Sequence, residues 1–208
     1  MKKVVVSVAV MLGLGLSNVQ AQGVSFGVKA DANMSNFILT DFADGVKSKI
    51  GFGASIGGFT KIGFSENFGL QPELLLHFKT SKMEYVKDGP ESDFQYFGME
   101  IPVYLVGQTS LGSGKGFFGV GPFLGLGFDA RYKPNVGSEV ELYKEYGGQD
   151  SDWQRFDFGA GAMLGYEFGS GLQISAGYKI GVINTLNRQK DDFSMLNQTI
   201  SLGLGFRF

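Results

Sequence analysis

The chain lacks cysteine altogether, so no disulfide can staple it and no lipid-modified N-terminal cysteine can tether it. Histidine occurs once, at His77, which without cysteine leaves no ligand spacing for a metal, and no cofactor is expected. Proline is scarce at 5 residues, which argues against a disordered Gly/Pro linker. There is no excess of basic charge: 18 Lys and Arg face 20 Asp and Glu without a basic stripe, so nothing points to nucleic acid. Beyond the first segment, no apolar run approaches the roughly 18 residues of a membrane-spanning helix. A chain of this kind crosses a membrane only as a closed barrel, because an open sheet edge in lipid leaves backbone groups unpaired.

The first segment differs. Lys2 and Lys3 precede an apolar run over residues 4–16, too short for the ~20 residues of a spanning helix, and Val19-Gln20-Ala21 follows with small residues at the spacing of a signal-peptidase site. Residues 1–21 are therefore expected to be a signal peptide and 22–208 the mature domain. Loss of Lys2 and Lys3 leaves 16 basic against 20 acidic side chains, a net charge of −4.

What the chain has is glycine and alternation. Its 33 glycines in 208 residues are about twice the usual ~7%. At the C-terminal end Leu196, Ile200, Leu202, Leu204, Phe206 and Phe208 fall on one face, against Asn197, Thr199, Ser201, Gly203, Gly205 and Arg207. This is the period of a strand with one apolar and one wet side. Similar runs begin at Val24, Ile50, Phe68, Phe97, Phe118, Phe156 and Leu172, which makes eight strands. Leu75 breaks the alternation of the third, and Asp129 falls on the glycine face of the fifth. Connections alternate as well: short at 63–67, 108–115 and 169–171, long and polar at 37–48, 80–93, 131–154 and 183–194. Such parity is expected of an eight-stranded antiparallel transmembrane up-and-down β-barrel, all-β, with both termini and the short turns in the periplasm of a Gram-negative bacterium. Phe64, Phe68, Phe117, Phe168 and Phe206 read as one interface girdle, and Tyr96, Tyr132, Trp153 and Phe156 as the other.

A secreted lipocalin-like barrel has the same strand number with its apolar face turned inward. Glycine decides between the two. A polar face in water should carry Lys, Glu and Ser, whereas here Gly119, Gly121, Gly125, Gly127, Gly159, Gly161 and Gly165 crowd it. Small residues suit the narrow interior of an eight-stranded barrel, and an almost uncharged apolar face suits lipid.

Gly27-Val28-Lys29-Ala30, Asn33-Met34-Ser35, Leu70-Gln71-Pro72-Glu73-Leu74-Leu75, Glu100-Ile101-Pro102-Val103, Gly121-Pro122-Phe123-Leu124-Gly125, Asp157-Phe158-Gly159 and Gly165-Tyr166-Glu167-Phe168 follow one another in an order and spacing that resembles the PorT-like outer-membrane β-barrel family. The resemblance spans nearly the whole mature chain. Asp31, where the family tends to have a small residue, and the hydrophilic stretch after Leu76 depart from it. It implies a porin-like barrel associated with secretion or assembly at the outer membrane, and a terminal Phe206–Phe208 signal for the barrel-insertion machinery.

Candidate chemistry lies on the inner face. Lys29, Asp31, Glu73, Lys79, Glu100, Asp157, Glu167, Lys179 and Arg207 form a charge network that is expected to pair and fill the lumen, since unpaired charge in a dry interior is costly. His77, four residues after Glu73, is placed about 23 Å up its strand, near the outer rim. No nucleophile accompanies it, so no catalysis is expected. Asp150, Asp152 and Asp157, or Asp191-Asp192, lack the spacing of a calcium loop. Tyr132, Tyr143, Tyr146 and Trp153, mixed with charges in the long loop 131–154, are the candidates for contact with a protein or glycan. The expected function is non-enzymatic scaffolding or interaction at the envelope in contact with outer-membrane lipid, with a small-solute channel as the alternative.

Overall fold

The computed structural model describes residues 23–42, 45–85, 91–144, 151, 153–186 and 193–208; the expected signal peptide, Tyr146, Asp150, Asp152, Asp191 and Asp192 lie outside them. The described residues contain nine strands: β1 (Gly23–Thr40), β2 (Lys47–Gly63), β3 (Phe68–Glu84), β4 (Glu91–Leu111), β5 (Gly114–Lys133), β6 (Val140–Glu141), β7 (Phe156–Glu167), β8 (Leu172–Gly181) and β9 (Ser194–Arg207). β6 is a two-residue rung on the outer end of β5. The other eight form an antiparallel ring in the order β4-β3-β2-β1-β9-β8-β7-β5, closed by β4 on β5. The seam between first and last strands runs from Gly27↔Arg207 to Thr40↔Ser194, and the Phe208 amide donates to the Phe26 carbonyl at 2.8 Å. Every edge is thereby paired, as a wall in lipid requires.

Alternation sets what faces where. Phe26, Phe52, Ile56, Leu74, Leu124, Leu164, Leu202 and Leu204 stand exposed on the outside of the ring, an apolar surface far beyond the patches a water-soluble monomer shows. Inside, glycines admit large neighbours. A Cβ on Gly27 would collide with the Phe59 ring, and one on Gly165 with the Phe117 ring. Pro72, Pro102 and Pro122 fall on three adjacent strands, and the ladder lacks pairs between Pro72↔Val103 and Leu75↔Glu100, and between Pro102↔Phe123 and Leu105↔Val120. Proline has no N–H to donate there.

The barrel is lopsided. β1 to β5 have 17–21 residues, whereas β7 has 12 and β8 has 10. At ~3.3 Å per residue and ~40° of tilt, β8 rises roughly 25 Å, the height of an apolar membrane band, and β4 roughly 50 Å. Of the long connections expected from the sequence, residues 37–40 and 47–48 of the first and 80–84 and 91–93 of the second are strand. Above the short strands, loop backbone continues the ring. Leu142 donates to Ala130 (2.8 Å), Trp153 to Leu142 (3.4 Å), Gln154 to Thr185 (2.9 Å) and Thr185 to Met195 (2.9 Å).

Five residues face otherwise than the sequence suggests. A register shift opposite Phe97 and Gly98, centred on Phe128, puts Asp129 on the outer face, where its side chain is 46% exposed beside Arg131. By contrast Leu75, the apolar exception on the inner face of the third run, points inward and is buried as its parity requires. Phe117 and Tyr96, read as girdle residues, are buried inside the ring, as is Trp153. Tyr132 packs with that interior rather than facing lipid.

Candidate functional site: the barrel lumen

From the short-turn end the lumen begins as an open vestibule of about 530 Å³ whose lining includes Lys61, Gln71, Lys115, Glu167 and Arg207. The Glu167 carboxylate accepts from Lys61 Nζ (2.6 Å), Gln173 Nε2 (2.7 Å) and Arg207 Nε (2.8 Å), while Arg207 NH2 lies 2.7 Å away. Lys61 also lies 5.0 Å from the centre of the Phe117 ring. Lys61 is absent from the network read off the sequence, because the clean alternation that begins at Ile50 blurs at Gly57 and Gly58. Its position four residues beyond Gly57, at even spacing, was the available signal.

Deeper in, Lys29 joins Glu73 (3.1 Å) and Asp31 (3.4 Å). Gln71 Nε2 donates to Glu73 at 2.8 Å, and the Ser55 hydroxyl donates to Asp31 at 3.0 Å while accepting from Asn33 at 3.3 Å. Above this layer Glu100 is clasped between Lys79, at 3.0 Å, and Lys179. Eight of the nine charges expected in the lumen therefore take part in ion pairs. Asp157 does not: its Oδ2 accepts from Asn197 Nδ2 at 3.1 Å, and its Oδ1 has no hydrogen-bond partner.

The long-loop end is closed differently. Phe37, Met83, Phe94, Tyr96, Ala130, Leu142, Trp153 and Met195 form a buried cluster, with Tyr132 and Tyr143 packed against it. Trp153 stacks on Phe94 with centroids 5.3 Å apart, and Phe37 meets both rings edge-on at 5.6 Å. Tyr132 lies 4.9 Å from Phe94 and donates to the Ser92 hydroxyl at 3.2 Å; Arg155 covers the Tyr143 ring at 4.8 Å. Of the loop aromatics expected to meet a partner, Trp153 is therefore a plug residue, 3% exposed, because its backbone is drawn into the ring extension. Phe206 and Phe208 remain on the outer face, with rings 5.8 Å apart.

Between plug and charges lies a chamber of about 30 Å³ bordered by His77, Tyr96, Glu100, Asp157 and Asn197. His77 is buried there, not near the rim, because β3 continues to Glu84. Its ring meets Tyr96 edge-on at 6.1 Å, and its cross-strand neighbour Ser55 spends its hydroxyl on Asp31. No three or more His, Asp or Glu side chains among the described residues are placed to hold a metal ion. The arrangement pairs most of the lumen charges and narrows the pore.

A closed antiparallel ring with a lipid-ready exterior and a packed polar interior defines a membrane β-barrel. The chain belongs to the outer membrane protein beta-barrel domain family, whose model matches residues 6–208. The fold is similar to the crystal structure of Neisserial surface protein A, at 19% identity and a TM-score of 0.53, covering 90% of this chain and 100% of that one. It is also similar to OprG from Pseudomonas aeruginosa, at 11% identity and a TM-score of 0.52, covering 90% and 97% respectively. No curated protein matches the sequence.

Proposed function

We propose that this outer-membrane barrel is a closed, non-enzymatic scaffold that acts through the surfaces it displays at the envelope rather than by passing solutes. The observation that carries this reading is the double obstruction of the lumen, by Glu100 clasped between two lysines and by the Phe37–Phe94–Trp153 cluster above it. The long-loop rim faces outward and both termini lie in the periplasm, where the insertion machinery reads Phe206 and Phe208. The PorT-like resemblance adds a role associated with secretion or assembly. Contact with a protein or glycan falls to the rim, where Tyr85, Val136 and Phe193 are exposed and Trp153 is not. A small-solute channel draws support from the open vestibule, but that space ends at the Lys29–Glu73 layer.

A photo-crosslinking amino acid placed in cells at Tyr85, Val136 or Phe193 is expected to give a discrete adduct. The same group at lipid-facing Leu204 should give none. Adducts from neither set, together with solute uptake by vesicles holding the protein, would overturn the proposal.

A further inference from the structure

The short-turn vestibule holds more cationic charge than the carboxylates around it neutralise. Lys61 on β2 and Glu167 on β7 belong to strands on opposite sides of the ring, so their 2.6 Å contact spans the lumen. Glu167 also accepts from Arg207 and Gln173. Lys115 is the ladder partner of Glu167 and faces the same way, yet it makes no ion pair among the described residues. It is exposed at the mouth, and like Arg207 it lies within Coulombic reach of Lys61. The charged residues lining the vestibule are Lys61, Lys115 and Arg207 against Glu66 and Glu167, a surplus of one positive charge.

Gln71 supplies a second, independent feature. It is 2% exposed, borders the vestibule and donates Nε2 to Glu73, which leaves its carbonyl oxygen Oε1 as an acceptor. That oxygen is buried without a hydrogen-bond partner, which is costly unless something donates to it. Gln71 falls opposite Lys61 across the β2–β3 ladder, between the pairs Phe59↔Glu73 and Ile62↔Leu70. A cationic donor is repelled by that lysine, whereas a neutral hydroxyl is not.

We propose that the vestibule is a binding site for a small hydroxylated monocarboxylate, of which a sugar acid is the simplest form. The site rests on the reading above that the lumen is sealed and that its short-turn mouth opens to the periplasm. The carboxylate is held at Lys115 and the part-exposed Arg207, and its single charge matches the surplus; a phosphate dianion overshoots it. A ligand hydroxyl donates to Gln71 Oε1. The space, about 530 Å³, falls among small-molecule sites of roughly 300–1,000 Å³. Lys115 releases no carboxylate when it binds, so the ligand displaces only water there. Because the Lys29–Glu73 layer closes the inner end, the site captures its ligand and does not pass it on.

The test titrates the folded barrel in phosphatidylcholine nanodiscs with glucuronate, glucose and acetate, read by NMR at the Gln71 side-chain amide. Glucuronate should shift that resonance. It should bind about fivefold or more tighter than glucose, which lacks the charge, and than acetate, which lacks the hydroxyls. Lys115→Ala should weaken glucuronate about fivefold, whereas Lys133→Ala at the far rim should leave it unchanged. Absence of glucuronate binding, glucose or acetate bound as tightly, or an unchanged affinity in Lys115→Ala would each overturn the site. Failure to bind by a barrel that passes no solute leaves the scaffold reading intact. Glucuronate uptake by vesicles holding a barrel that binds it would overturn the sealed reading and not the site.

Discussion

Two regions of the lumen are built by opposite means. Around the short-turn vestibule and through the middle, inward side chains are charged and held in pairs: Glu167 with Lys61 and Arg207, Glu73 with Lys29, Glu100 with Lys79 and Lys179. At the long-loop end the lumen is filled by rings and methionines that need only contact. The difference lies in how each region fails. A buried pair is all or nothing, because removal of one partner leaves an uncompensated charge, whereas an apolar cluster loses stability in proportion to the volume removed.

Glu100→Ala breaks this comparison most sharply, since it strands Lys79 and Lys179 together. Unfolding in urea from lipid vesicles should show a loss of about 3–5 kcal/mol. Restoring apolar neutrality with Glu100→Leu, Lys79→Met and Lys179→Met should recover most of it; no recovery would mean that the glutamate matters for its shape and not its charge. Trp153→Ala comes next, at about 3 kcal/mol by the same measurement, with the loss graded through Trp153→Phe. Arg207→Ala should cost only about 0.5–1 kcal/mol, because this side chain is partly exposed and Glu167 keeps Lys61 and Gln173.

The smallest effect lies outside the membrane. Hydrogen bonding from Arg131 holds the Glu139 carboxyl below its ordinary value of 4.5. A depressed carboxylate contributes stability that is present above its unfolded pKa and lost as pH falls through the lower folded one. Side-chain NMR should therefore find Glu139 titrating below 4.5, and Arg131→Ala should move the midpoint back up. An unshifted midpoint in both proteins would show that this rim contact is not populated in solution.

How much of this is legible in the sequence follows from the same contrast. Period-two alternation gives the eight ring strands and the lipid-facing side, because lipid tolerates almost no exception on that face. The charge network is legible too, since inward charges stand out among glycines. The mouth is not. Residues 80–93 read as loop because Lys82 and Asp93 sit outward above the membrane, where an apolar face is no longer required, and only Met83 and Phe94 mark the inner side. The shift at Phe128 reverses the facing of Asp129 and Ala130 without any change in composition. The plug draws Phe37, Met83, Phe94, Leu142, Trp153 and Met195 from six segments, so it exists only once the ring has closed.

Single-channel recording of the purified wild-type barrel in planar bilayers addresses the sealed lumen most directly. A lumen blocked by the Glu100 clasp and the Trp153 cluster predicts no stepwise current at any applied voltage the bilayer withstands. A stable, ion-selective open level in the wild type would contradict it.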